Sequence, residues 1–164
     1  MRIAILSDTH GNMRRAGRVV ELLGQAQPPV QIIVHCGDVG SPQVLQDLAA
    51  LGKPIYAVGG NMDRGIDLET SARELGVSFC RTTVEVPIED GQHLVATHGH
   101  IGGLLEELIA GGQFPYVCCG HTHQFRDDRI GPVRVINPGA VHRSPEPGIA
   151  ILDTKADELT RLGL

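Results

Sequence analysis

Hydrophobic positions along the chain cluster in short runs of Val, Ile and Leu, and these runs alternate with stretches of helical spacing, as in an α/β protein. Residues 2–6, 31–35 and 54–58 read as buried strands. Between the first two, residues 13–26 place Met13, Ala16, Val20 and Leu23 on one helical face, with Asn12 as candidate N-cap. The next helix is punctuated by Ser41 as cap, Pro42 at its first position and Gly52 past its end; Val44, Leu45, Leu48 and Leu51 form its apolar face. A third helix over 68–75 is closed by Gly76. Beyond it the pattern changes. Residues 82–88 and 93–97 flank Asp90-Gly91, a hairpin signal, so antiparallel pairing enters here. A short helix over 104–110 runs into Gly111-Gly112, and 116–119, 133–136 and 149–153 supply further strands. The tail after Lys155 carries no pattern. With no linker, repeat or low-complexity segment, a single domain spanning 1–164 is expected, with mixed rather than purely parallel sheets.

Composition narrows the partners. Hydrophobic residues make up 41% and charged residues 20%, a globular balance. With 14 Lys plus Arg against 19 Asp plus Glu, the formal net charge is −5, the wrong sign for generic binding to a nucleic-acid backbone. Aromatic residues are 3% with no Trp, so stacking platforms for single strands are scarce. No run approaches the ~18–20 apolar residues of a membrane span, so no membrane partner is expected. The apolar start is interrupted by Asp8 and His10 and is not a signal peptide. Cys36, Cys80, Cys118 and Cys119 show no CxxC spacing and demand no oxidising compartment, so the cytoplasm is the expected location. Two abundances stay unexplained by packing alone: 21 Gly and 8 His.

Those residues gather where strands end. Behind the first strand stands Asp8-Thr9-His10-Gly11-Asn12, behind the second Gly37-Asp38, and behind the third Gly59-Gly60-Asn61-Met62-Asp63. The later strands run into Thr97-His98-Gly99-His100 and Gly120-His121-Thr122-His123. In open α/β sheets the ligand crevice lies at the carboxyl ends of strands, so five such turns can converge on one site. Asp8/His10 and His121/His123 are i, i+2 pairs, which point to one side in extended backbone. Carboxylate, imidazole and amide oxygen together suit a first-row cation: manganese, iron, zinc or cobalt. Seven donors exceed a tetrahedral zinc site and suit two ions holding a hydroxide between them, with Asp38, alone on its turn, as the bridging carboxylate. Taken singly, each residue has a plainer reading: Asp38 as a helix cap, Asn61 as a turn residue, either His pair as chance. Seven independent structural reasons would be needed to place all of them at strand ends.

In this order the motifs resemble the calcineurin-like metallophosphoesterase superfamily. Its succession of Asp-x-His, Gly-Asp, Gly-Asn-His-Asp/Glu, His and Gly-His-x-His stands here as Asp8-Thr9-His10, Gly37-Asp38, Gly60-Asn61-Met62-Asp63, His98 and Gly120-His121-Thr122-His123. Length and the Thr97-His98-Gly99-His100 segment are most similar to the small prokaryotic phosphodiesterase branch, itself related to the small scaffold subunit of retromer. The resemblance implies a four-layer α-β-β-α sandwich of two mixed sheets. It also implies a partition of two divalent ions, manganese first, with nickel, iron, zinc or cobalt as alternatives. Asp8, His10 and His123 would hold one, Asn61, His98 and His121 the other, and Asp38 would bridge them, with Asp38, Asn61 and His98 at the reacting centre. Where many members carry His after the Asn, this chain has Met62, which cannot protonate a leaving oxygen. Esters with good leaving groups are therefore expected, and His100 is a candidate substitute acid or substrate contact.

Asn12 and Arg64 are further candidate substrate contacts, and Asp63 a candidate orienting residue. His35, His93 and His142 fall outside the motifs and read as structural or exposed; Cys36 and Cys119 read as packing. The turn Asn137-Pro138-Gly139-Ala140 borders the expected site without assigned chemistry. The function these residues point to is hydrolysis of a small phosphodiester or phosphate ester. The rival is a catalytically weak scaffold that keeps the fold. A mononuclear structural zinc site would leave three good ligands idle. Oligomeric state is open, a homo-oligomer included.

Overall fold

A computed structural model describes all 164 residues. Two mixed β-sheets pack face to face and carry helices on both outer surfaces. In the first sheet β1 (Arg2–Leu6), β2 (Ile32–His35), β3 (Ile55–Val58) and β4 (Ser78–Cys80) lie side by side and parallel. On the other flank of β1, β10 (Gly148–Asp153) and β11 (Glu158–Gly163) continue the sheet antiparallel. The second sheet contains β5 (Thr83–Pro87), β6 (His93–Thr97), β7 (Tyr116–Cys118), β9 (Val133–Pro138) and, at its edge, β8 (Phe125–Ile130). Its three inner strands are parallel, and the Asp90-Gly91 turn joins β5 to β6 as the expected antiparallel hairpin.

The alternation of side chains along a strand builds the layers. From β1, Ala4 and Leu6 enter a core with α1 (Met13–Gln25), α2 (Pro42–Ala49) and α3 (Leu68–Leu75). Ile3 and Ile5 point the other way, into the core between the sheets, where they meet Val34, Leu94, Cys118 and Ile136. Inner strands buried on both faces are apolar at most positions, which is why they stand out in the sequence as short apolar runs. On the far surface α4 (Leu104–Gly111) lays Leu105, Leu108 and Ile109 against Val95, Val117, Val133 and Val135. The result is the expected α-β-β-α sandwich. Cys36, Cys118 and Cys119 are buried, and burial pushes the Cys119 thiol up to about 11.

Three strands escape the sequence pattern, and all three are edges: β4 and β11 of the first sheet, β8 of the second. No helix is long and apolar enough to cross a membrane.

Candidate metal centre

Because β1, β2 and β3 run parallel in one sheet and β6 and β7 in the other, the five turns emerge at one end of the sandwich. Main-chain hydrogen bonds lace them together: Asp8 N to Gly37 O at 3.0 Å, His10 N to Asp38 O at 2.9 Å, Gly120 N to His98 O at 3.1 Å. Across the two sheets, His98 Nδ1 donates to Cys36 O at 2.7 Å. The turns are not extended. Asp8, His10, Asp38, His121 and His123 have φ of 57°, 46°, 52°, 67° and 59°, so left-handed backbone replaces the straight i, i+2 geometry expected for the two pairs. That conformation costs a non-glycine residue about 1–2 kcal/mol, and its concentration in five candidate ligands is a mark of a functional site. Space is equally tight. A Cβ on Gly60 would lie 2.0 Å from Asp38 Oδ1, and one on Gly37 would lie 2.5 Å from His98 Nδ1.

The donor atoms converge. Asp8 Oδ1 lies 3.1 Å from His123 Nε2 and 3.8 Å from His10 Nε2, and the two imidazole nitrogens are 3.4 Å apart. Asp38 Oδ2 stands between this group and the next, 3.9 Å from His10 Nδ1 and 3.5 Å from His98 Nε2. Asn61 Oδ1 is 3.2 Å from His98 Nε2. His121 is more exposed; its ring lies 5.1 Å from that of His98, and its amide donates to Asp8 Oδ2 at 3.1 Å. All seven predicted donors are thus brought together, and Asp8 shares close spacing with both His10/His123 and Asp38/His98.

The set fits cations. Asp8 Oδ1 is fully buried and accepts no hydrogen bond, a costly state for a carboxylate unless a positive ion sits against it. The rings are aimed by their other nitrogens. A carbonyl can only accept, so His98 Nδ1 carries its proton toward Cys36 O, and His123 Nδ1 carries its own toward Arg143 O at 3.0 Å. That leaves His123 Nε2 as a lone pair facing Asp8; His98 Nε2 donates to Asp38, which raises the ring's proton affinity, and a cation would take that proton's place. Burial holds His10 below its ordinary value against the pull of Asp38 and Asp8, which favours the neutral ligand form. Burial would raise Asp38, but hydrogen bonds from His98 and the Met62 amide outweigh it and keep the carboxylate ionised.

Around this centre the remaining candidates divide. Asn12 does cap α1, its Oδ1 accepting from Arg15 N at 3.1 Å, and its Nδ2 also donates to His142 Nδ1 at 3.2 Å. Asp63 takes the amides of Val39, Gly40 and Gly60, tying the Asp38 turn to the Asn61 turn. Arg64 is exposed and forms no ion pair. The His100 ring lies 5.3 Å from that of His98, and its Nδ1 is buried without a partner. Met62 is 52% exposed at the rim. Asn137 Nδ2 holds Gly120 O at 2.8 Å, so the turn bordering the site supports the His121 loop. His142 is the residue that sequence reasoning missed. Its ring lies 6.5 Å from His10, and its main chain is fixed to Asp8 O at 3.0 Å. Only its place after the Asn137–Ala140 turn hinted at this.

The chain matches the model of the calcineurin-like phosphoesterase superfamily domain over residues 1–157. It belongs to that superfamily. A phosphodiesterase of Methanocaldococcus jannaschii is 31% identical, with 100% of this chain and 99% of the relative covered. A solved archaeal phosphodiesterase superposes with a TM-score of 0.88 at 31% identity, over 100% of both chains. Vps29 of Entamoeba histolytica, in a single-mutant form, gives a TM-score of 0.71 at 16% identity, over 100% of this chain and 99% of that one; this shows likeness of fold alone. Full-length similarity places the chain in the small phosphodiesterase branch of the superfamily. As a calcineurin-like member it is a phosphoester hydrolase, and the superfamily's divalent-metal chemistry agrees with the orphaned Asp8 oxygen and the imidazoles gathered around it.

Proposed function

We propose that this chain is a phosphodiesterase working with two divalent ions, manganese first among the candidates. Asp8, His10 and His123 would hold one ion, Asn61, His98 and His121 the other, and Asp38 both. The observation that carries the reading is the buried, unpartnered Asp8 Oδ1 set within reach of two imidazole nitrogens. When bound, such ions supply Lewis acidity toward phosphoryl oxygens and a water of lowered pKa. The chain's own residues do the positioning. Asp38, kept ionised by its hydrogen bonds, balances the charge between the two groups of ligands. His98 and His123 are locked in one tautomer and one orientation by the carbonyls of Cys36 and Arg143. Asn12, Arg64 and His100 are the candidate contacts to substrate oxygens. Met62 supplies no proton, so leaving groups that depart as stable anions, such as aryl alcohols, are favoured.

Exposed Met62, at the position where many relatives carry a His, favours a second reading: a scaffold of low turnover that keeps the metal ligands. One experiment separates the two. Metal-stripped protein is assayed on bis(p-nitrophenyl) phosphate with Mn²⁺, Ni²⁺, Zn²⁺ or Mg²⁺ restored singly, and bound metal is counted in the same samples. Activity appearing with two bound ions, and falling by at least about a hundredfold in Asp38→Ala, is the expected result. Two bound ions without turnover of diesters or monoesters would establish the scaffold.

A further inference from the structure

Phe125 serves no core. It opens the edge strand β8, lies outside all three apolar clusters and is 38% exposed. The exposed positions that follow it are Asp127, Asp128 and Arg129, so the strand itself gives no reason for an aromatic ring at its start. Two residues before it stands His123, one of the seven candidate ligands.

The ring has a built partner. Arg161 of β11 lies over it, with Cζ 5.1 Å from the ring centroid. That guanidinium is held by two of its nitrogens: Nη1 donates to Glu146 Oε2 at 2.9 Å and Nη2 to Glu146 O at 2.8 Å. Its charge is answered and its plane fixed against Phe125. The stacked pair lines a groove of about 560 Å³, a size that suits a small ligand. One wall is formed by residues 122–125 and includes the His123 ring itself; the facing wall is formed by 144–146. The second wall is tied to the metal centre, because Arg143 O receives the proton of His123 Nδ1 at 3.0 Å. Groove and centre therefore share a side chain. Hydrogen-bonding groups border the stacked pair. The Gln124 side chain is exposed, and Thr122 Oγ1 and Ser144 Oγ accept from the Gln124 and Glu146 amides at 3.4 and 3.2 Å, which leaves each hydroxyl a proton to donate.

We infer that this groove receives a nucleobase carried by one alcohol of the substrate, stacked on the Phe125–Arg161 pair, and that the preferred esters are those of nucleosides. Bases stack on aromatic rings and on guanidinium planes alike, and their edges both donate and accept hydrogen bonds. An alkyl chain would use neither the stacking surface nor the polar border, and a hydrocarbon ring would leave the border unanswered. A single platform takes a single base, in keeping with a chain whose 3% of aromatic residues is too few to line a path for a longer strand. The position of the phosphate rests on the phosphodiesterase reading; the platform rests on the groove.

Calorimetry on Mn²⁺-loaded protein makes the test, with adenosine 5′-monophosphate and ribose 5-phosphate as the two probes. The nucleotide is expected to bind at least about fivefold tighter than the sugar phosphate. In Phe125→Leu, which keeps an apolar side chain and removes the ring, that ratio falls toward one. Ile130→Ala, which trims the other exposed apolar residue of β8, keeps it. Were Phe125 merely structural, its loss would weaken both probes alike and leave the ratio standing; that result overturns the platform. Equal binding of the two probes by wild type overturns it too, as does a ratio lost equally in Ile130→Ala. Binding of neither probe would overturn the phosphodiesterase reading of the centre, and the inference with it.

Discussion

His35 illustrates how much a single buried side chain does without touching the reaction. The Gly37 amide donates to its Nδ1 at 3.2 Å, so the ring is neutral with its proton on Nε2, directed at Thr9 Oγ1 3.0 Å away; Thr9 in turn donates to Val39 O at 2.8 Å. This relay joins the Asp8–His10 turn to the Asp38 turn beneath the ligands. Burial, reinforced by His98, pushes the His35 pKa down from 6.5 to about 3. Between those values the unfolded chain takes up a proton that the folded chain refuses. The stabilisation is therefore complete above pH 6.5 and is lost as pH falls toward 3, at up to about 1.4 kcal/mol per pH unit. Urea unfolding of metal-free protein between pH 7.5 and 4.5 is expected to show this slope. His35→Asn should be less stable at pH 7.5 and lose stability with acid more slowly; parallel profiles would disprove the assignment. Met62 yields the second expectation at this scale. Met62→His restores a group able to protonate a leaving oxygen. It should raise kcat/KM for an alkyl diester relative to an aryl diester by about tenfold or more. An unchanged ratio would mean that the acid is supplied elsewhere.

Among the elements, the two sheets are fastened at both ends. At the site end the fastening is His98 to Cys36 O. At the other end, where Arg2 of β1 pairs with Asp153 of β10, the turn into β11 offers Asp157. Arg134 of β9, only 9% exposed in its side chain, holds Asp157 at 2.7 Å and Asp127 of β8 at 2.7 Å, and Tyr116 of β7 donates to Asp157 at 3.1 Å. Arg129 of β8 joins the same carboxylate. Asp157→Ala removes the group through which all these strands meet and leaves Arg134 half paired, so a loss of about 2 kcal/mol in folding stability is expected. Aryl diester turnover should change little, because the clamp lies at the end remote from the metals. Equal urea midpoints for variant and wild type would show that the clamp contributes nothing. The edge strands belong to this scale too. β8 reads Phe-Arg-Asp-Asp-Arg-Ile and β11 Glu-Leu-Thr-Arg-Leu-Gly, charged and largely exposed. Charge on an edge discourages pairing with other chains, and the same charge erases the hydrophobic signature of a strand.

For the molecule as a whole, the metal centre is a concentration of buried acidity that the fold tolerates because a cation is meant to compensate it. Ions bound at a hundredfold above their dissociation constant should add about 2.7 kcal/mol per site to stability. Chelation is therefore expected to lower the melting temperature and Mn²⁺ to restore it. Asp8→Asn should lose most of the metal-induced rise. A rise of full size in that variant would place the ions elsewhere. The net charge of −5 does not oppose an anionic substrate, since cations held by the ligands would set the local field.

Local chemistry determined what could be read from the chain alone. Inner strands, buried on both faces, appear as apolar runs; helices announce themselves by caps and spacing; and each ligand stands in a short turn directly behind its strand. The α/β class, the layer order and the seven converging donors followed from these signals and the resemblance they support. Tertiary structure decided what depends on distant partners. His142 reaches Asn12 across 130 positions, and His123 is aimed by the Arg143 carbonyl 20 positions away. The left-handed twist of five ligand residues and the relay through His35 arise only when separate turns are pressed together. Spacing in sequence specifies what lies along one strand or helix. It is blind to a carbonyl or a ring brought in from another element, and those contacts aim the site.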